Sequence, residues 1–129
     1  FSKFPNGAPG VETRLVLLWD AVQQCKITAN RFVEITSTTP AKLFGLYPRK
    51  GNLSPGADAD IVLIDPKKPH TITAKKHHSA ADYNPYEGVT VRGSIADVFV
   101  RGQHMVSGDK LLGRTSHGKF LRRTPRNFD

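Results

Sequence analysis

Gly56-Ala57-Asp58-Ala59-Asp60-Ile61-Val62-Leu63-Ile64-Asp65-Pro66 is the stretch that decides how this chain is read. Ile61 to Ile64 form an unbroken apolar run bounded by turn residues, too short for a helix and right for a strand buried on both faces. Asn52-Leu53-Ser54-Pro55-Gly56 supplies the turn chemistry that leads in, and Pro66 is expected to stop the strand. Upstream the apolar spacing is helical. Downstream it is that of strands. The order of helices first and strands second predicts an α+β arrangement.

Upstream, Val11, Leu15, Leu18, Trp19 and Val22 fall on one helical stripe, which predicts a helix over 11–23. Val16 and Leu17 widen that stripe, so the helix is expected to touch protein on more than one side. Thr28 is a candidate N-cap for a second helix over 29–38, with Arg31 where a capping box would place Glu. Thr39-Pro40 reads as a second cap with proline at the first helical position, opening a helix over 40–46. Downstream, Thr71-Ile72-Thr73 and Val89 to Val91 are short strand candidates. Ile95 to Val100 and His104 to Val106 read as a hairpin turned at Arg101-Gly102 or Gly102-Gln103.

The chain has 129 residues, a single cysteine and a formal net charge of +8. That length suits one ordinary domain. Its 38% hydrophobic content excludes a disordered tail, and no apolar run is long enough to span a membrane as a helix. Cys25 alone cannot form an internal disulfide, so a reducing, cytoplasmic setting is the expectation. The only methionine is Met105 and the chain opens on Phe1, so it reads as a piece of something longer. The charge is uneven: residues 1–65 are nearly balanced, whereas the excess of lysine and arginine lies in residues 66–129. A basic half invites nucleic acid as a partner. Aromatic residues are sparse in the tail, Phe120 and Phe128 only, and no nucleic-acid module frames it. Contact with another protein chain is the favoured reading of that tail.

His77-His78 is the most tempting metal pair, but adjacent strand residues face opposite ways and no second ligand pair follows at zinc-like spacing. Asp58 and Asp60 lack the further oxygens and the frame of a calcium loop, and read as turn and strand-end residues. Cys25 has no catalytic partner in sequence, and phosphate-binding and nucleophile-turn motifs are missing. Pro5-Asn6-Gly7-Ala8-Pro9-Gly10 differs in kind. Two prolines stiffen it, two glycines permit close approach, and a helix starts just beyond. Such a loop can either lead rigidly into the helix or present backbone N–H and C=O groups to a small planar ligand.

Pro5-Asn-Gly-Ala-Pro-Gly-Val-Glu12, Asn30-Arg-Phe-Val33, Ser37-Thr-Thr-Pro-Ala-Lys42, Leu46-Tyr-Pro-Arg-Lys-Gly51 and Gly56-Ala-Asp-Ala-Asp-Ile-Val62 together resemble the C-terminal portion of the dihydropyrimidinase and D-hydantoinase family. His77-His78, Asp82-Tyr-Asn84, Tyr86-Glu-Gly88 and Gly118-Lys-Phe-Leu121 extend the resemblance over nearly the whole chain. It implies a cyclic amidohydrolase that opens dihydropyrimidine or hydantoin rings to N-carbamoyl amino acids at a binuclear zinc centre in a TIM-like barrel. It also implies that residues 1–50 end that barrel, that 51–112 are the C-terminal part of a β-sandwich, and that 113–129 are a basic tail in oligomer contact. The zinc ligands and catalytic groups would then lie upstream, leaving this segment inactive alone. Asn6 is the one substrate-binding residue carried over, its main chain meeting the imide edge of the ring. The family further implies a homotetramer, with neither nucleic acid nor membrane as partner. A rival reading is a non-catalytic scaffold of the collapsin response mediator type, which shares the architecture. Pro9, and His77-His78 ahead of Asp82-Tyr-Asn84, look more like the enzymes.

Overall fold

A computed structural model describes residues 7–124. Helix α1 spans Arg14–Gln23, α2 spans Ala29–Val33 and α3 spans Thr39–Leu43; strands follow as β1 (Ile61–Thr71), β2 (Thr90–Val100), β3 (Gln103–Ser107) and β4 (Lys110–Leu111). The strands form one antiparallel sheet in the order β1-β2-β3-β4. Helices first and strands second is the expected α+β arrangement.

Three local expectations are corrected. Thr28 does cap α2, its Oγ1 accepting from the Arg31 amide at 3.1 Å, but Thr39 is no cap. It has helical angles, and a π-helical turn over Glu34–Thr38 joins α2 to α3 without a break. Widening the backbone ladder before Pro40 accommodates a residue with no N–H to donate. Pro66 likewise does not end β1. The register jumps between Asp65 and Pro69, and Asp65 Oδ1 accepts the amides of Lys67 (2.9 Å) and Lys68 (3.3 Å), so the chain bulges past the proline and pairs again to Thr71. Finally, Val11 lies outside α1 and is 93% exposed, while the most buried side chain of the helix is Val16. The sheet takes the face that Val16 and Leu17 were expected only to widen.

The core is small. Ile72 and Val91 are fully buried against Val16, with Leu17 and Ile95 packed around them. Trp19 lies over Gly93 and meets the Phe32 ring edge-on, centroids 5.4 Å apart. Asp20 Oδ1 accepts the Arg92 amide at 2.8 Å, closing the gap that the irregular β2 opens in the ladder. One helix thus grips one strand by packing, by shape and by a hydrogen bond.

Arg101 and Gly102 both have positive φ, the conformation a two-residue hairpin turn requires, so β2 and β3 turn where the sequence placed them. Asp60 joins the two halves. It accepts the Arg101 amide at 2.8 Å and, with Asp58, receives Lys50 Nζ. Asp58 and Asp60 therefore act as turn and strand-end residues. The tail returns to its own chain: Arg101 bonds the His117 carbonyl, and the Thr124 amide donates to the Gly45 carbonyl at 3.0 Å. Its last residues, 125–129, lie outside the described range.

Across the hairpin, Asp97 Oδ1 sits 2.7 Å from His104 Nε2, and His104 stacks on Phe99 at 4.6 Å. Hydrogen bonds from Ser107 and then His104 hold the Asp97 carboxyl below its ordinary value of 3.8. A lowered carboxylate value means that folding stability is fully present above the unfolded value and is lost as pH falls through the folded one. Acid titration followed by circular dichroism should therefore show loosening only below about pH 4. Asp97→Asn is expected to flatten that acid limb by lowering stability at neutral pH toward its acid value.

Candidate functional site

The Pro-Asn-Gly-Ala-Pro-Gly loop is the one feature that the sequence marks as a ligand-facing backbone. Asn6, its predicted contact residue, lies outside the described residues, as does Pro5; the site is built here from Gly7 onward. Gly7 has φ +89°, a region L-residues rarely adopt, and a Cβ there would meet no atom within 4 Å. The glycine is required by the turn, not by a close neighbour. Thr13, almost wholly buried, donates its hydroxyl to the Gly10 carbonyl at 3.2 Å and fixes the loop to the start of α1.

A second segment holds the same loop from the sheet side. Between β1 and β2 the chain makes an excursion whose base is tied by Ile72 N to Val89 O and Gly88 N to Ile72 O, both 2.9 Å. Glu87 Oε2 accepts the Ala74 amide at 2.6 Å across its neck. At its far end, Tyr83 Oη reaches the Gly7 carbonyl at 3.4 Å, and Asn84 Nδ2 reaches the Pro9 carbonyl at 3.4 Å. Glu12 Oε1 accepts the His78 amide at 2.8 Å. Pro9, Val11, Glu12, His77, His78 and Ser79 enclose a pocket of about 260 Å³ between the two segments.

Asn84 is buried and its amide is fully engaged. Oδ1 accepts the Tyr86 amide at 2.8 Å, which turns Nδ2 toward both the Pro9 carbonyl and His77 Nδ1, the latter at 3.0 Å. An amide nitrogen only donates, so His77 Nδ1 is the acceptor of this bond. The two adjacent histidines serve separate ends: the ring of His77 faces Asn84, and the backbone of His78 faces Glu12. Among the described residues no three His, Cys, Asp or Glu side chains could together hold a metal ion. The residues present do not fit a metal centre. Cys25 is exposed at the end of α1. Sequence reasoning missed the clamp by Tyr83 and Asn84, because it joins positions some 75 residues apart in the chain.

A larger open groove of about 880 Å³ runs between the helices and β1, lined largely by apolar side chains including Leu15, Phe32, Val33, Phe44, Leu53 and Ile61. Phe44 and Leu53 along it are among the exposed large hydrophobic residues, and no helix is long and apolar enough to cross a membrane among the described residues.

The amidohydrolase family description matches residues 4–105. A D-phenylhydantoinase from Escherichia coli (strain K12 / DH10B) is 47% identical over 126 residues, 97% of this chain and 27% of that protein. The D-hydantoinase (dihydropyrimidinase) structure from Thermus sp. superposes with a TM-score of 0.92 at 42% identity, over 98% of this chain and 28% of that one. The dihydropyrimidinase structure from Brevibacillus agri NCHU1002 gives 0.90 at 44% identity, over 96% and 27%. The chain thus spans between a quarter and a third of the length of these relatives.

Proposed function

Because the chain belongs to the amidohydrolase family, we propose that it is the trailing portion of a cyclic amidohydrolase that opens dihydropyrimidine or hydantoin rings to N-carbamoyl amino acids. The observation that carries this reading is 47% identity over 97% of the chain to a D-phenylhydantoinase, together with the left-handed turn at Gly7. The open apolar groove supports a parent in which helices 14–43 pack on the rest of a TIM-like barrel. The four-stranded sheet supports residues 51–112 as part of a β-sandwich. Phe120, 90% exposed, with Leu111 and Leu112, supports tail 113–129 as a subunit contact in a homo-oligomer, a tetramer by resemblance. A cytoplasmic location and the absence of nucleic-acid or membrane partners belong to the same reading.

The reaction adds water across a ring amide: the carbonyl carbon gains an oxygen, the ring C–N bond breaks, and the departing nitrogen takes a proton. A binuclear zinc centre, where bound, would supply the Lewis acidity for that attack; the described residues offer no ligand set for it, so it would be held by the parent outside this chain. What this chain contributes is orientation. A cyclic imide presents adjacent N–H and C=O groups, and a stiff backbone around Asn6 and Gly7 can answer with a complementary acceptor and donor. Alignment of the ring edge sets which carbonyl faces the attacking water.

The test compares two variants in the parent enzyme that carries this segment. Gly7→Val forces a β-branched residue into φ +89° and is expected to raise KM about tenfold or more. Asn6→Ala keeps the backbone groups and should change KM only as far as the turn shifts. An unchanged KM for both variants would overturn the role of the loop.

A further inference from the structure

The excursion between β1 and β2 carries no sequence signal of catalysis, yet two of its polar side chains bond backbone carbonyls of the substrate loop. Tyr83 Oη takes the carbonyl of Gly7 and Asn84 Nδ2 takes that of Pro9. In a trans peptide the C=O and the N–H lie in one plane and point in opposite directions. Anchoring the Gly7 carbonyl toward Tyr83 therefore aims the Ala8 N–H away from Tyr83, and anchoring the Pro9 carbonyl aims the Gly10 N–H away from Asn84. The excursion thus fixes the tilt of the Gly7–Ala8 and Pro9–Gly10 peptide planes.

We propose that Asn84 and Tyr83 are positioning residues for the ring-binding loop, setting the orientation of its peptide groups from the sheet side. The inference rests on the proposed role of that loop in holding the imide edge. Three features make Asn84 the principal anchor. It is buried, 7% exposed, whereas Tyr83 is 43% exposed. Its Oδ1 is committed to the Tyr86 amide, so the side chain cannot flip without losing a bond. Both Nδ2 hydrogens have acceptors, the Pro9 carbonyl and His77 Nδ1, and the amide is held at three points. The excursion is itself closed at its neck by Glu87 and at its base by Ile72, so the anchor stands on a braced support.

Asn84→Asp is the informative change. It keeps the volume and the acceptor for Tyr86 but replaces the donor to Pro9 with an oxygen that repels it. A packing role would leave substrate affinity unchanged. A positioning role would not. Tyr83→Phe removes one exposed hydroxyl and leaves folding intact, so it keeps the test open if Asn84→Asp misfolds.

The experiment measures KM, kcat, metal content and thermal midpoint for both variants in the intact parent enzyme with a dihydropyrimidine or hydantoin substrate. Amide hydrogen exchange is read alongside at Ala8, Gly10, Val11 and Glu12. The expected result is a KM raised about tenfold for Asn84→Asp and about threefold for Tyr83→Phe, with kcat and metal content unchanged and faster exchange confined to the loop. Unchanged exchange and unchanged KM in both variants would overturn the inference while leaving the role of the loop standing. Faster loop exchange with KM unchanged, in these variants and in Gly7→Val alike, would overturn the role of the loop itself and the inference with it. A fall in kcat that tracks lost metal or a lowered thermal midpoint would make the two residues structural and also overturn it.

Discussion

Gly93→Val should destabilise the fold by about 3 kcal/mol or more, summing the strain of a positive φ and the overpacking of a filled site. Gly93 sits at φ +96°, and a Cβ there would lie 2.5 Å from Trp19 Cδ1 and 2.6 Å from Trp19 Nε1. Moving the indole aside would disturb its edge-to-face contact with Phe32, centroids 5.4 Å apart. The carbonyl of Asp65, 3.2 Å from that Cβ, closes the remaining direction. The position combines three demands: an irregular step in the β1–β2 ladder, a left-handed backbone, and room for an aromatic ring. Amide exchange along β1 and β2 measures the effect directly. The expected outcome is lost protection from Ile61 to Thr71 and from Thr90 to Val100, with protection within α2 and α3 falling less. Retention of wild-type protection would mean that α1 does not pack on β2 through Trp19.

Ile72→Ala is expected to cost about 2–5 kcal/mol, the range for emptying a fully buried aliphatic site. Ile72 is 0% exposed and lies between Val16 of α1 and Val91 of β2. Its backbone also pins the base of the excursion, through Val89 and Gly88. The cavity would loosen helix, sheet and excursion together. Urea unfolding followed by circular dichroism gives the energy. Ile72→Val, which removes one methylene, should cost about 0.5–1.5 kcal/mol and provides the graded comparison. Equal losses for the two variants would show that the site refills and is not tightly packed.

The architecture was legible to the extent that local pattern carried it. The apolar stripes announced helices in the first half, Ile61 to Ile64 announced the first strand, and Arg101-Gly102 announced the hairpin turn. What escaped depended on partners distant in sequence. Pro66 ends a strand by local rules, but Asp65 capping two following amides lets the strand resume. Thr39-Pro40 looks like a helix start, but a preceding π-turn absorbs the proline. The favoured stripe of α1 is only half-buried: Leu15 lines the open groove, while Trp19 of the same stripe, with Val16, packs on the sheet side. The loop at 5–10 was marked by its glycines and prolines, and the resemblance supplied Asn6. The residues that brace it were marked only as family motif, without a bracing role, because no periodicity links Asn84 to Pro9.

The same contrast bears on the +8 charge. Lys67 and Lys68 ride on a bulge, and Lys75 and Lys76 on the short helical turn of Ala74–Lys76 that opens the excursion. His117 is drawn back onto Arg101 and the Val100 carbonyl, so the described part of the tail is bonded to its own chain. These positions place the described lysines on separate elements of the chain.

The most direct measurement of the central proposal is ring opening by the intact polypeptide that contains this segment, metal-loaded and purified. Dihydrouracil and a 5-substituted hydantoin serve as substrates, and the product is identified by mass. The account predicts conversion to the N-carbamoyl amino acid, a gain of one water, with Gly7→Val impaired mainly in KM. A folded, metal-loaded polypeptide that leaves both rings closed would contradict it and return the segment to a non-catalytic scaffold of the same architecture.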